Sequence, residues 1–313
     1  MRRSLLLLSL LAGCSTSSSQ PAVEELPELK TILDAKPANG YQIILPIQKA
    51  LMPATDTEVC TWTDLIVDHD IDVRSIESYQ TVGGHHIIMF STQKQQPPGT
   101  SRICTDDDMS TFRFGAGAGA EGMGIKDTAP GNLVFRIPAG SQIVLNHHYI
   151  NATPNMIDAQ SAMNIWLADP GTSYTSVGSM AILDTSMQVA PGASSLDINC
   201  TVQQTVNVWS MFPHMHQYGT RGVIQLTHAG VTQTMQDVQW TPSYTFHPPS
   251  VTVDPSQAFA VDQGDNLHMH CEWDNTTQTT MTFGLEMCVA FLQFVNTDNL
   301  ENMQCDHGQW GTF

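Results

Sequence analysis

The sequence has 313 residues, of which 41% are hydrophobic and 13% are charged, and its formal net charge at pH 7 is −18. The length suits about two ordinary domains or one large β domain, and the ordinary apolar content argues against a disordered chain. Twelve Lys and Arg against thirty Asp and Glu argue against a nucleic-acid partner and against an anionic membrane surface, because the net field repels phosphate.

The N-terminus has the features of an export signal. Arg2 and Arg3 precede an apolar run over residues 5–11. This run is too short to span a bilayer as a helix, and the charged start is typical of a secretory signal. We therefore expect residues 1–13 to be a signal peptide.

A lipid anchor is predicted directly after this signal. The letters LAGC, which end at Cys14, resemble the bacterial lipobox, in which the cysteine is lipidated. Ser15 at the next position favours the outer membrane of a bacterial cell envelope. Residues 14–37 are predicted to be a flexible linker, because their first half is rich in Ser, Pro and Glu. The lipid would be the chain's only contact with a membrane.

The rest of the chain has a β pattern. Short segments rich in Val, Ile, Thr, Phe and Tyr alternate with turn clusters, and no long window keeps a helical period. The fold class is therefore all-β, as two tandem antiparallel β-sandwich, jelly-roll-like domains. A glycine-rich run at 115–124 is expected to be a surface loop. Strands are predicted over residues 57–67, 132–137, 142–151, 205–211, 222–227 and 281–294.

An internal repeat supports two domains. Residues 140–153 and 264–277 share Gly, aliphatic, large apolar, aromatic, Asn and Thr positions at identical offsets. Duplication of a β domain accounts for this agreement, and the loop signal at 169–171 lies between the copies. We expect an N-terminal domain over 38–168 and a C-terminal domain over 169–313.

Paired histidines are candidate metal ligands. His214 and His216 are two apart in a predicted strand, so both side chains project from one face and can chelate one ion. His85 and His86 are adjacent and can share an ion only if Gly83 and its neighbour permit a bulge. Imidazole suits Zn, Cu, Fe and Ni alike, so histidines alone do not identify the metal.

Other motifs are weaker. His268 and His270 have the same spacing, and we expect them to face solvent or to support another group. The acidic run at 68–72 mimics a calcium loop, but Val73 and Tyr79 replace residues that such a loop needs. The absence of HExxH and GxSxG argues against common zinc proteases and serine hydrolases.

Six cysteines remain once Cys14 is set aside. An even number in an exported chain predicts three disulfides. The absence of a CxxC spacing argues against a thiolate metal site. Fifteen pairings are open from the sequence. The six are Cys60, Cys104, Cys200, Cys271, Cys288 and Cys305.

Four motifs in register resemble the copper type II, ascorbate-dependent monooxygenases, the family that includes dopamine β-hydroxylase and peptidylglycine α-hydroxylating monooxygenase. The resemblance covers residues 38–312. The motifs are HHIIMF ending at Phe90, His148 with Tyr149, His214-Met-His216, and EMCVAF ending at Phe291.

This resemblance implies two copper ions per chain that face each other across a cleft, with ascorbate or another reductant as co-substrate. The electron-storing copper would have three imidazole ligands, and the copper that binds O₂ would have two imidazoles and a thioether. His147, which is adjacent to His148, would point away from the first copper. The implied ligands are His85, His86 and His148 for the first ion and His214, His216 and Met287 for the second.

The resemblance also implies the cysteine pairing. Cys60 would pair with Cys104, Cys200 with Cys305, and Cys271 with Cys288. The last bridge would anchor the strand of Met287 beside the second ion.

The expected function is hydroxylation of a C–H bond in a small organic substrate, with O₂ and a reductant. Phe212, Val289 and Phe291 replace the Arg, Asn and Tyr of the amidating members, which favours an apolar or aromatic substrate over a carboxylate. Two alternatives remain: an envelope protein that binds or delivers copper without turnover, and zinc hydrolysis at the three-histidine cluster.

Overall fold

The computed structural model describes residues 25–312 apart from 106, 107, 109, 110, 119–121, 246, 247, 299 and 301. The predicted signal peptide at 1–13 and the predicted lipidation at Cys14 lie outside the described residues. Within that described part, none of the helices has the length and apolar character needed to cross a membrane.

Among the described residues, the first part of the chain has the helix α1 and twelve named strands. They are α1 (Pro27–Ile32), β1 (Gly40–Ile44), β2 (Gln48–Leu51), β3 (Asp56–Ile66), β4 (Ile71–Gln80), β5 (Gly84–Thr92), β6 (Ser101–Ile103), β7 (Arg113–Ala118), β8 (Gly122–Thr128), β9 (Leu133–Ile137), β10 (Gln142–Ile150), β11 (Ile157–Ala159) and β12 (Ser161–Leu167).

The part of the second half that the structure describes has thirteen strands and two short 3₁₀ helices, Pro242–Thr245 and Pro255–Gln257. The strands are β13 (Thr175–Leu183), β14 (Gln188–Val189), β15 (Gly192–Thr201), β16 (Val206–His214), β17 (Gly219–His228), β18 (Val231–Gln239), β19 (Val251–Thr252), β20 (Phe259–Val261), β21 (Asn266–Asn275), β22 (Met281–Thr282), β23 (Val289–Asn296), β24 (Met303–Asp306) and β25 (Gln309–Thr312).

Two sheets enclose the core of the first part. One has the order β6-β3-β10-β5-β7, and the other contains β1-β12-β4-β9. Alternate side chains of these strands point inward and bury a mostly aliphatic cluster, as expected for a sandwich. The cluster includes Val73, Ile76, Ile87, Met89, Ile143, Leu145, Met163 and Ile165.

The second part repeats this arrangement. Strands β13, β23 and β16 lie side by side, and the sheet β15-β21-β17-β18 covers them. The buried cluster between them includes Ile182, Val208, Met211, Ile224, Leu267, Met269, Trp273, Leu292 and Phe294. A short parallel pairing of β9 with β13 joins the two parts in one long sheet. The proposed boundary at 169–171 lies between β12 and β13, and the division into domains stays a prediction.

The structure confirms the all-β fold class and corrects three local predictions. The strand expected over 281–294 is interrupted, because only β22 and β23 are extended and residues 283–288 form a turn and loop. The glycine-rich run is not a loop throughout, since 115–118 belong to β7 and 122–124 to β8. A side chain at Gly115 would lie 2.7 Å from the methyl group of Met89, so glycine lets β7 pair closely with β5.

The predicted linker over 14–37 is the third correction. Its second half contains the helix α1, and Leu29 on that helix is fully buried against Tyr79 and Ala162. The backbone N–H of Leu26 also donates to Oε1 of Gln160 at 2.8 Å. These contacts hold the end of the segment against the first sandwich.

The two repeat copies form the same local structure. Asn151 follows β10 and Asn275 ends β21, and each of these strands is an inner strand of its sheet. The side-chain oxygen of Asn151 accepts from the backbone and hydroxyl of Thr153 at 3.0 and 2.8 Å. Asn275 accepts from Thr277 in the same way, at 3.0 and 2.7 Å. The recurring Asn and Thr are therefore the two parts of one side-chain-closed turn.

Candidate metal centres

The first histidine cluster forms where β5 begins beside β10. His86 is opposite His148, while Tyr149 is opposite Gly84, so His85 is an extra residue in the ladder. This bulge turns two adjacent side chains to one side, which a regular strand cannot do. Gly83 has a φ of 81°, a conformation that glycine adopts without strain.

The three side chains converge. The ring centroids of His85, His86 and His148 are 4.9 to 5.4 Å apart. One ligand atom from each ring lies within 4.8 Å of the others, and the Nδ1 atoms of His85 and His86 are 3.2 Å apart. Such a set of nitrogens fits a single transition-metal ion after small rotations.

Asp56 fixes the orientation of His148. The Nε2 atom of His148 donates to Oδ1 of Asp56, which places the proton on Nε2. The lone pair is then on Nδ1, the nitrogen that His148 can offer to an ion. A carboxylate that holds the outer nitrogen of a ligating histidine is the usual support of a metal site.

His147 lies on the other face of β10. Its Nε2 atom is 2.8 Å from the hydroxyl of Thr61, and the ring is fully buried. Burial lowers the pKa of His147 to about 3, so the ring is neutral at pH 7. This placement agrees with the orientation that the resemblance implied.

The second pair of histidines is at the end of β16. The ring centroids of His214 and His216 are 5.1 Å apart, and Met215 between them is fully buried in the opposite direction. Nδ1 of His216 donates to the backbone oxygen of Leu285 at 3.3 Å, which leaves Nε2 as the nitrogen for an ion. Trp240 holds the same residue by donating to its backbone oxygen at 2.9 Å.

Met287 lies in the loop before β23. It packs against a small apolar cluster that contains Leu183 and Val289, which Phe291 also contacts. The ring centroid of Phe291 is 6.2 Å from that of His214. The structure therefore brings the Met287 segment to the end of β16 where the two histidines are.

Glu286 connects the two segments. Its carboxylate is fully buried and accepts from the backbone N–H groups of His216 and Met287 through Oε1 and of Tyr218 through Oε2. Buried carboxylates are stable when several donors surround them. The residue thus holds the His216 turn and the Met287 loop in one arrangement.

Three disulfides form among the described cysteines, and all three have the pairing that the resemblance implied. They are Cys60–Cys104, Cys200–Cys305 and Cys271–Cys288. The last joins β21 to the residue after Met287, so the candidate thioether is next to a covalent anchor.

A histidine of the first cluster affects the pKa of a histidine in the second. Burial is the main cause that lowers the pKa of His214 to about 3, and His216 and then His86 lower it further. His86 belongs to the first cluster, so the two candidate centres lie within Coulombic reach of each other.

Asp56 and Glu286 are functional candidates that the sequence reasoning did not find. Asp56 is 92 residues from His148 in the chain, and only the pairing of β3 with β10 brings them together. Glu286 directly precedes Met287, but this position in the sequence does not indicate that the Glu286 carboxylate is buried. A charged residue inside an apolar motif was the one available signal.

Comparison with known proteins concerns mainly the second half. Residues 172–309 match a family model described as "Copper type II ascorbate-dependent monooxygenase, C-terminal domain". The matched range contains His214, His216 and Met287, and it supports the copper- and ascorbate-dependent family for this chain. None of the curated proteins compared with the chain is a match.

Solved structures give only distant likenesses. The major capsid protein P2 from bacteriophage PM2 is 10% identical, covers 83% of this chain and 99% of its own, and has a TM-score of 0.32. The PBSX exported protein XepA is 8% identical, covers 92% of this chain and 100% of its own, and has a TM-score of 0.24. At these scores the likenesses carry no argument about the chain.

Proposed function

We propose that this chain is a copper-dependent monooxygenase that hydroxylates a C–H bond of a small organic substrate, using O₂ and a reductant such as ascorbate. The observation that carries the proposal is the presence of two unlike donor sets, close enough for His86 of the first to lower the pKa of His214 in the second. One consists of three imidazoles, and the other combines His214 and His216 with the neighbouring thioether of Met287.

The donor sets fit copper in two different ways. Imidazole supports copper in both oxidation states, whereas a thioether is soft and prefers Cu(I). Bound copper would supply one-electron and O₂ chemistry, which protein side chains alone do not. His85, His86 and His148 would hold the first ion, and His214, His216 and Met287 the second.

The chain's own residues would position these ligands. Asp56 keeps a proton on Nε2 of His148 and so keeps Nδ1 available. Leu285 does the same for His216 through its carbonyl oxygen, and Glu286 fixes the distance between the His216 turn and the Met287 loop. Preorganised ligands lose little entropy when an ion binds.

Aromatic side chains near His214 favour an uncharged substrate. Phe212 and Phe291 are cross-strand partners with ring centroids 5.3 Å apart, and both are half-buried. Phe212 is two residues from His214, so both project from the same face of β16. This apolar surface would bind an apolar or aromatic substrate against the two phenyl rings, and water would be displaced from between the substrate and the rings.

Turnover separates this function from the alternatives. We would load the chain with copper, reduce it with ascorbate under argon, and then measure O₂ consumption with a panel of small aromatic substrates. The enzyme is expected to consume O₂ repeatedly and in a substrate-dependent way. A copper carrier would reoxidise once per ion, and a zinc hydrolase would not depend on O₂.

Met287→Ile tests the assignment of the thioether, with Met235→Ile as the control because Met235 is a half-buried methionine packed against the core of the second sandwich. Met287→Ile is expected to remove a sulfur scatterer from the X-ray absorption of the Cu(I) protein. It should lower turnover by at least the ~10–100-fold that loss of a supporting residue typically costs. Equal sulfur scattering in both variants would refute the thioether ligand.

We also propose that the chain is anchored to the bacterial cell envelope through a lipid on Cys14. The letters LAGC after a short apolar run support this. Labelling of the chain with a fatty acid during expression tests it, and Cys14→Ser is expected to abolish the label. Labelling of the serine variant would rule out this attachment site.

A further inference from the structure

A separate pair of histidines lies on the outer face of the sheet β15-β21-β17-β18. Along β21, Leu267, Met269 and Cys271 are fully buried in the core. His268 and His270 alternate with them and are partly exposed, with side-chain exposures of 18% and 23%. The pair is therefore on the opposite side of its sheet from the core of the second sandwich.

Both imidazoles contact one carboxylate oxygen. Asp197 on β15 is directly opposite His270 in the ladder. Its Oδ1 atom is 2.8 Å from Nε2 of His268 and 2.8 Å from Nδ1 of His270. Two ring nitrogens from one strand and an oxygen from the next strand thus converge on one point.

The outer nitrogen of each ring also faces an acceptor. Nδ1 of His268 is 2.9 Å from Oε1 of Gln225, and the amide nitrogen of Gln225 donates to Thr234. Nε2 of His270 is 3.2 Å from Oε1 of Glu272. Each imidazole therefore has acceptors at both of its nitrogens.

A neutral imidazole carries only one proton and cannot satisfy two acceptors. If the outer nitrogens donate to Gln225 and Glu272, the inner nitrogens direct lone pairs at the Asp197 oxygen. This arrangement is repulsive unless a bound cation lies between them or a second proton is present on each ring. The surrounding charge also favours a cation, because Asp197, Glu272 and Asp237 are accompanied by the single guanidinium of Arg221.

We propose that Asp197, His268 and His270 bind a divalent transition-metal ion, Zn²⁺ or Cu²⁺, at a site distinct from the two proposed copper centres. Two imidazoles and a carboxylate are ligands that both ions accept, and no soft sulfur is present to favour Cu(I). Gln225 and Glu272 hold the outer nitrogens as supporting acceptors do in metal sites. The ring centroids of His268 and His270 are 6.3 Å apart, so both partly exposed rings would turn about their side-chain bonds to bring one nitrogen each to the ~2.0–2.1 Å bond length of such an ion.

The site shares no residue with the proposed oxygenase, so its test is independent of turnover. We would incubate the full chain with excess ZnCl₂, remove unbound metal by gel filtration, and measure zinc per chain by mass spectrometry. The variant His268→Gln with His270→Gln is expected to retain one zinc fewer than the wild type. The control is His69→Gln, which removes an exposed histidine that contacts a single carboxylate, Asp68.

Equal zinc content in the double variant and the wild type would overturn the proposal, and would leave doubly protonated rings as the explanation of the contacts. Circular dichroism and retention of copper at the other centres check that the variant folds. Glu272→Gln provides a second measurement, since it leaves the three ligands in place. It is expected to weaken zinc binding about tenfold without changing the number of sites.

Discussion

The backbone N–H of His216 donates a hydrogen bond to the buried carboxylate of Glu286, one residue before the candidate thioether ligand. Replacing this carboxylate with an amide puts an NH₂ group among backbone donors. Glu286→Gln is therefore expected to lower the free energy of unfolding by about 2–3 kcal/mol, the cost of charge-assisted bonds lost in a buried place. Urea denaturation measures this loss.

The same variant should also affect the second centre. Without the carboxylate, the His216 turn and the Met287 loop separate, and the sulfur contribution to the X-ray absorption of the Cu(I) protein is expected to decrease. Glu28→Gln is the control, because Glu28 is exposed. A Glu286 variant with unchanged stability and unchanged sulfur scattering would show that the carboxylate does not position Met287.

Asp56 is expected to support the first centre without being a ligand. Asp56→Asn can still contact His148, but it removes the charge that holds a proton on Nε2. Loss of such a support typically weakens metal binding about 10–100-fold. Titration with Cu(II) followed by electron paramagnetic resonance measures the affinity of the three-histidine cluster.

The matched control is Asp64→Asn, an exposed aspartate on the same strand β3. Because 64% of the Asp56 side chain is exposed, its replacement should change stability little. An affinity equal to that of the Asp64 variant would mean that Asp56 has no role in the orientation of His148.

The sequence predicted the elements of the site better than their connections. The spacing predicted that His214 and His216 share a face, and their ring centroids are 5.1 Å apart although the strand ends at His214. The bulge that His85 and His86 would need in order to share an ion is present in the pairing of β5 with β10. The family resemblance, and not the spacing, supplied the cysteine pairs. These successes concern short-range geometry, which the period of a strand largely determines.

Long-range and loop features were not predictable in the same way. Asp56 meets His148 through the register of β3 and β10, which depends on the packing of the whole sheet. The break before β23 was missed because residues 283–288 include apolar side chains with a strand-like composition. Tertiary contacts of Glu286 and the Cys271–Cys288 bridge maintain that loop against its local propensity.

Two disulfides in the second sandwich should differ in their effects. The Cys271–Cys288 bridge closes a loop of 17 residues, and Cys200–Cys305 spans 105 residues. If disulfides act by restricting the unfolded chain, removing the bridge that closes the short loop lowers the free energy of unfolding by about 3 kcal/mol. Removing the bridge that closes the long loop lowers it by about 4.7 kcal/mol. Paired serine variants and denaturant unfolding compare these costs.

Metal binding is expected to reverse that order. Removing Cys271–Cys288 frees the loop of Met287, so copper affinity at the second centre should fall more than after removal of Cys200–Cys305. The same two variants serve as each other's controls. If the longer bridge proves equally important for copper affinity, the anchoring role of Cys288 beside Met287 is wrong.

Protonation of Asp108 at low pH is expected to lower the free energy of unfolding. The guanidinium of Arg102 is bonded to both oxygens of this carboxylate, and Thr105 donates to it from its backbone and hydroxyl at 2.9 and 2.7 Å. The Arg102 bonds, and after them those from Thr105, outweigh burial and lower the pKa of Asp108 to about 2 from 3.8. A depressed pKa means that the folded state binds a proton less readily than the unfolded chain.

The stabilisation from Asp108 is therefore complete above the unfolded pKa of 3.8 and is lost as pH falls through about 2. Its size is about 2 kcal/mol by linkage. Asp108→Asn cannot ionise, so the difference in unfolding free energy between wild type and variant should shrink by this amount between pH 5 and 2, as measured with urea. Asp274→Asn, at an exposed position of β21, is the matched control for the loss of one carboxylate. A wild-type advantage over Asp108→Asn that persists unchanged at pH 2 would show that the Arg102 pair does not couple folding to protonation.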